Sequence, residues 1–226
     1  MKQSISTILH DLRSAMPNGG WRRSLIVFIA YLLPVIAFAM LADEVGEGST
    51  LPLDTAILQS VHSLHNVSLD WLALHATELG SIWWVGGVTA ILFGLFLYRR
   101  QFTSAVIIAG GVGGSMAINL ILKALFQRDR PQLWERIVTE NSYSFPSGHA
   151  MASAALAISI IVILWPTRWR WWAVAVGALY MIAIAFTRLY LGVHYPTDII
   201  AGWLMAGAWV VLLAAVVRNW HFTKQS

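Results

Sequence analysis

Residues 146–165 read PSGHAMASAALAISIIVILW, a Pro-Ser-Gly-His tetrad followed at once by an apolar run. The run predicts a membrane helix that starts near Ser147 and ends around Trp165-Pro166. At its start, free backbone N–H groups and the helix dipole favour an anion. Gly148 has no side chain to block close approach to that backbone. One segment thus combines a lipid-suited body with an anion-suited tip.

Working outward, further apolar runs appear at Ser24–Ala42, 81–98, 103–122, from the Trp-rich stretch after Pro166 to Leu189, and 196–217. A bilayer core asks for about 20 mostly apolar residues per helix. The composition agrees: of 226 residues, 58% are hydrophobic and 12% charged, with 12 Trp. Soluble domains carry roughly 25% charged residues. Mean hydropathy is +0.65. The expected fold is all-α: one polytopic membrane domain over residues 1–226, with six transmembrane helices. There is no Cys, which excludes disulfides and Cys metal sites. The net charge of +4 is not a nucleic-acid footprint, because Lys and Arg fall in short clusters between apolar runs.

Residues 43–80 carry Asp43, Glu44, Glu47, Asp54, Asp70 and Glu78 and no Lys or Arg. Leu53, Ile57, Val61 and Leu64 form one helical stripe, and Leu69, Leu72, Ala76 and Leu79 another. Neither is long enough to span, so a short helical pair is expected in this first outer loop, with Ser68 capping its second member. His62, His65 and His75 read as surface histidines. Gly86, Ala90 and Gly94, and also Gly110 and Gly114, recur every four residues, which lets helix backbones approach closely. The Gly110–Gly114 run lacks the following Lys-Ser/Thr of a phosphate loop. Met1–Arg23 reads as a cytoplasmic tail, either solvated or lying on the membrane, ahead of a retained anchor rather than a cleaved signal.

Six spans put both termini on one side of the membrane. Lys2, Arg13, Arg22, Arg23, Arg99, Arg100, Arg168, Arg170, Arg218 and Lys224 then share that side, which the positive-inside rule makes cytoplasmic. Lys123, Arg130, His149, Arg188, His194 and Asp198 all fall on the opposite side, although they come from different helix ends. As patterns they read K-x6-R-P, P-S-G-H and [S/T]-R-x5-H-x3-D, spread over residues 123–198.

A phosphoryl group in transfer spreads negative charge over its equatorial oxygens, and protein cations hold and neutralise it. Lys123, Arg130 and Arg188 suit that task without a metal, the arginines through paired hydrogen bonds. An imidazole beside a carboxylate, as His194 is to Asp198, is oriented and made more nucleophilic. Pro196 suits the first turn of the last helix, leaving His194 in the preceding turn. His149 is then free to protonate a leaving oxygen and later to activate water.

These three motifs resemble those of the type-2 phosphatidic acid phosphatase family of metal-independent membrane lipid phosphatases. The resemblance implies that His194 is a nucleophile forming a phosphohistidine, supported by Asp198, with His149 as acid and base. It further implies that Lys123, Arg130, Ser147, Gly148 and Arg188 bind phosphate, and that neither metal nor cofactor takes part. Thr187 stands where the family more often has Ser, and a hydroxyl is retained. The implied substrate is a lipid phosphate or diphosphate: undecaprenyl diphosphate, phosphatidylglycerol phosphate, phosphatidate or diacylglycerol diphosphate. The implied setting is a bacterial plasma membrane with the site facing outward, and the partners are membrane lipids. A transporter is the non-enzymatic rival, since intramembrane charges also mark ion paths. Here the charges sit at helix ends rather than mid-span.

Overall fold

A computed structural model describes residues 20–135, 137, 138 and 140–223. Its α-helices are α1 (Gly20–Glu47), α2 (Leu51–His62), α3 (Val67–Thr77), α4 (Ile82–Tyr98), α5 (Phe102–Phe126), α6 (Gly148–Leu164), α7 (Arg170–Tyr190) and α8 (Pro196–Thr223). A 3-10 turn, Glu78–Gly80, joins α3 to α4. No strand occurs among the described residues, and every apolar run read from the sequence is a helix.

This is an integral membrane protein. Among the described residues, four helices (α1, α5, α7 and α8) are long and apolar enough to cross a bilayer. A fifth candidate is α3 with α4, bent by 44° at the intervening turn. The expected count of six is not reached by length alone. Both α4 and α6 contain 17 residues, roughly 25 Å at 1.5 Å per residue. Large apolar side chains such as Ile26, Trp83, Ile91, Trp172 and Leu179 are exposed, as expected where lipid is the solvent.

Local signals set the helix ends. Ser81 caps α4 by accepting from the backbone N–H of Trp84 at 3.2 Å, and Ser147 caps α6 at Ala150 N. The cap of α3 is Asn66, accepting from Leu69 N at 3.0 Å, rather than the expected Ser68. Asn66 takes the extended backbone conformation of a cap, and Ser68 lies inside the first turn. The first helix begins by Gly20 and continues past Ala42 to Glu47, so the expected tail is helical from Gly20 onward. Residues 1–19 of that tail, and Lys224, lie outside the described residues.

The innermost helix is α6. Ala150, Met151, Ala152, Ser153, Ala154 and Ala155 are all buried, and α5, α7 and α8 pack around them. Small side chains there let the neighbours close in, and Ile108, Val112, Ala206 and Val210 complete the cluster. At Gly202 of α8 the approach is directly to backbone. A Cβ there would lie 3.0 Å from Ser147 O and 3.2 Å from Met151 N, both backbone atoms. Gly202→Ala is therefore expected to push α8 off the start of α6 and cost about 1–3 kcal/mol. Thermal unfolding in detergent should register the loss; an unchanged midpoint would show that the helices can shift freely. The two glycine series differ. Trp209 of α8 seats on Gly114 and donates to Gly110 O at 2.8 Å. Gly86 and Gly94, by contrast, have nothing packed against the position of a Cβ.

Candidate active site

All eight residues singled out in the three motifs converge at one end of the bundle. Lys123 closes the last turn of α5; Arg130 lies in the following loop; Ser147, Gly148 and His149 open α6; Arg188 ends α7; His194 precedes α8; and Asp198 lies in its first turn. Arg188 and His194 are each 1% exposed and Asp198 is fully buried. Burying such charges is costly unless each is paired, so the partners define the site.

His194 sits between Arg130 and Asp198. Arg130 Nη1 lies 3.1 Å from His194 Nε2, and Asp198 Oδ2 lies 3.3 Å from His194 Nδ1. A guanidinium only donates and a carboxylate only accepts. Nε2 must then carry the lone pair and Nδ1 the proton. Burial, reinforced by Arg130, Arg188, Lys123 and His149, holds the imidazole well below its usual pKa. That direction favours the neutral ring, its unprotonated Nε2 facing Arg130.

The loop between α5 and α6 wraps the cations. Lys123 Nζ donates to Tyr143 O and, at 3.3 Å, to Ser142 Oγ. Arg130 donates to Ser142 O and Val193 O, both at 2.8 Å. The backbone N–H of Ser147 donates to Asp198 O at 3.0 Å, locking the start of α6 to α8. Asn119 donates to Pro146 O at 3.1 Å, and a Cβ on Gly148 would meet Asn119 Oδ1 at 3.3 Å. Arg188 donates to Thr77 Oγ1 at 2.8 Å and to Glu140, while its buried Nε has no hydrogen-bond partner. His149 is half-buried within the electrostatic field of Arg188, Glu140, Arg130 and Lys123.

Several residues of this network were not read from the sequence, among them Asp54, Arg128, Glu140 and Ser144. Glu140 pairs with Arg188 and lies 3.6 Å from Arg130 Nη2. Burial would raise its carboxyl pKa, but the two arginines outweigh that and lower it. Ser144 donates to Asp198 Oδ2. Arg128 joins Asp198 to Asp54 of α2. Arg128 lies inside the x6 gap of the first motif, and Asp54 lies beside the first outer stripe, in the first turn of α2. Neither has a spacing that points to the site.

The outer histidines are less free than surface residues. His62 stacks on Trp134 at 3.9 Å, and His65 stacks on Tyr190 while pairing with Asp70 at 2.9 Å. They pin the α2–α3 turn over the site loop and α7. Among the described residues, no group of three or more His, Cys, Asp or Glu is arranged to hold a metal.

The fold and site together define a helical membrane protein with a buried histidine–carboxylate pair and a cluster of cations at one end of its bundle. The chain belongs to the PAP2 superfamily, whose family model matches residues 104–222. It is 26% identical to phosphatidylglycerophosphatase B of Bacillus subtilis over 73% of this chain and 83% of that one. It is 30% identical to the lipid A 4'-phosphatase of Bacteroides thetaiotaomicron over 69% and 72% of the two chains. An undecaprenyl-diphosphatase of Sulfolobus acidocaldarius is 35% identical, over only 34% of each chain. In three dimensions the chain superposes on the transmembrane PAP2-type phosphatidylglycerolphosphate phosphatase of Bacillus subtilis. The TM-score is 0.75 at 23% identity, covering 86% of this chain and 97% of that one.

Proposed function

We propose that the protein is a metal-independent lipid phosphate phosphohydrolase working through a phosphohistidine. The observation that carries this reading is His194 itself, with Asp198 on the protonated nitrogen and Arg130 beside the free one. In the first step His194 Nε2 attacks phosphorus, the P–O bond to the lipid breaks, and His149 gives its proton to the leaving oxygen. In the second, His149 takes a proton from water, the oxygen attacks phosphorus, and the N–P bond breaks to release phosphate. Lys123, Arg130 and Arg188, with the Ser147 hydroxyl and the backbone N–H of Gly148, hold the phosphoryl oxygens. The unpartnered Arg188 Nε supports that assignment, being a buried donor suited to an oxyanion.

The charge opposing the phosphoryl oxygens comes from protein cations, and the nearby carboxylates are engaged by arginines. Hydrolysis is therefore expected to survive excess EDTA. Loss of activity with EDTA and its return with Mg2+ would overturn the cation clamp.

The substrate class is a phosphorylated or diphosphorylated lipid, because the site lies at the ends of apolar helices. The names of the relatives support this class: a phosphatidylglycerophosphatase, a lipid A phosphatase and an undecaprenyl-diphosphatase. Phosphate release from a panel of these lipids by purified protein tests it, and hydrolysis of none would sink it. For topology we propose six crossings, α4 and α6 included, with the site facing outward from a bacterial plasma membrane. Single Cys at exposed Ser63 and Thr167 should label from opposite sides, Ser63 from outside; labelling from one side would refute six crossings.

A further inference from the structure

We infer that Arg128 and Asp54 are positioning residues for the reaction, setting the orientation and effective charge of Asp198 and, through it, the reactivity of His194. This rests on the reading of His194 as the nucleophile.

The two oxygens of Asp198 divide their partners. Oδ1 accepts from Arg128 Nη1 at 2.7 Å. Oδ2 faces His194 Nδ1 and accepts from the backbone N–H of Tyr195 at 2.8 Å and from Ser144. With one oxygen fixed by a guanidinium, the other is aimed at the imidazole. Arg128 is itself held from behind. Its Nη2 donates to Asp54 Oδ2 at 2.8 Å, its Nη1 also reaches Thr197 Oγ1 at 2.8 Å, and its guanidinium lies 4.1 Å from the centre of the Tyr195 ring. Asp54, 1% exposed in the first turn of α2, also accepts from Thr197 N at 3.1 Å and Thr197 Oγ1 at 2.6 Å. The outer helix α2 is thereby tied to the first turn of α8, one residue from Asp198.

One guanidinium therefore serves two buried carboxylates. A planar fork can bridge them, whereas a lysine presents a point charge that cannot hold both in fixed geometry. The charge balance has opposite consequences at its two ends. Without Arg128, Asp198 is less neutralised and stabilises the imidazolium of His194, so the histidine protonates at higher pH. Without the Asp54 charge, Arg128 neutralises Asp198 more fully, so the histidine protonates at lower pH. The other groups facing His194 stay in place: Arg130 at Nε2, Ser144 at Nδ1, and Lys123, Arg188 and His149 across the site.

The test uses full-length protein in detergent, an aryl phosphate and a lipid phosphate, with kcat, KM and the pH profile of kcat/KM. Arg128→Gln should lower kcat roughly 10- to 100-fold, the size seen when outer partners that orient metal-ligating histidines are removed. KM should stay near wild type, and the acid limb should move to higher pH. Asp54→Asn should lower kcat less and move the acid limb to lower pH. The double variant should lose less than the product of the single losses, because both act through Asp198. If Arg128→Gln does not give a monodisperse, helical protein, Arg128→Lys takes its place. It should lower kcat with the acid limb near wild type, since the charge remains and the bridge is lost. Unmoved acid limbs in the single variants with multiplying losses would overturn the inference. If His194→Ala still hydrolyses substrate, the nucleophile reading fails instead. A dead His194→Ala beside unimpaired Arg128 and Asp54 variants would sink the positioning role alone.

Discussion

His194→Ala is expected to abolish both turnover and any trapped phosphoenzyme, whereas His149→Ala should separate the two steps. The difference follows from the environments of the rings. His194 is buried between Arg130 and Asp198, with a lone pair on Nε2. His149 stands half-buried at the opening of α6, among cations and Glu140. An alkoxide leaving group of high pKa needs a proton in the transition state, so His149→Ala should slow lipid phosphate hydrolysis by about 100- to 10,000-fold. An activated aryl phosphate needs less protonation, and its first step should be partly spared. Water activation would still be impaired, so phosphoenzyme should accumulate. A rapid-quench burst assay on both variants reads this directly. A burst in His194→Ala with none in His149→Ala would mean that the roles are reversed.

Arg188→Ala should be nearly as damaging, with kcat falling on the order of 100- to 1,000-fold, the usual effect of deleting a preorganised donor to developing charge. Arg188→Lys should recover little of the loss. The guanidinium is fixed by Thr77 on one side and Glu140 on the other, with Nε left as a further donor. An ammonium carries the charge but not the planar set of donors. Steady-state kinetics on a lipid phosphate decide the matter. Full activity in Arg188→Lys would show that only the charge is needed, and wild-type activity in Arg188→Ala would remove Arg188 from the site.

The pH dependence of the wild-type enzyme carries the same electrostatics. In the proposed mechanism a neutral imidazole is the reactive form of His194, and burial with nearby cations lowers its pKa. The acid limb of kcat/KM due to this residue should therefore lie below the ordinary histidine range. A limb at the unperturbed value of about 6.5 would contradict the buried pairing.

The sequence alone determined the helical class, the boundaries of the apolar runs to within a few residues, and the motif residues that meet at the site. Those features are legible because each is written locally. Lipid as solvent demands long apolar runs and Pro196 marks a first turn, whereas the one cap read from the sequence, Ser68, gave way to Asn66. His194 and Asp198 are one helical turn apart, so their meeting is also a local matter. Only the tertiary structure decided which carboxylates engage the cations. Asp54 reaches Arg128 and Thr197 because α2 folds back across the start of α8. Glu140 reaches Arg188 because the site loop wraps the end of α7. A hydrogen bond between residues 143 apart in the chain leaves no periodicity to read. It exists because a buried charge must find a partner, and packing alone selects which one.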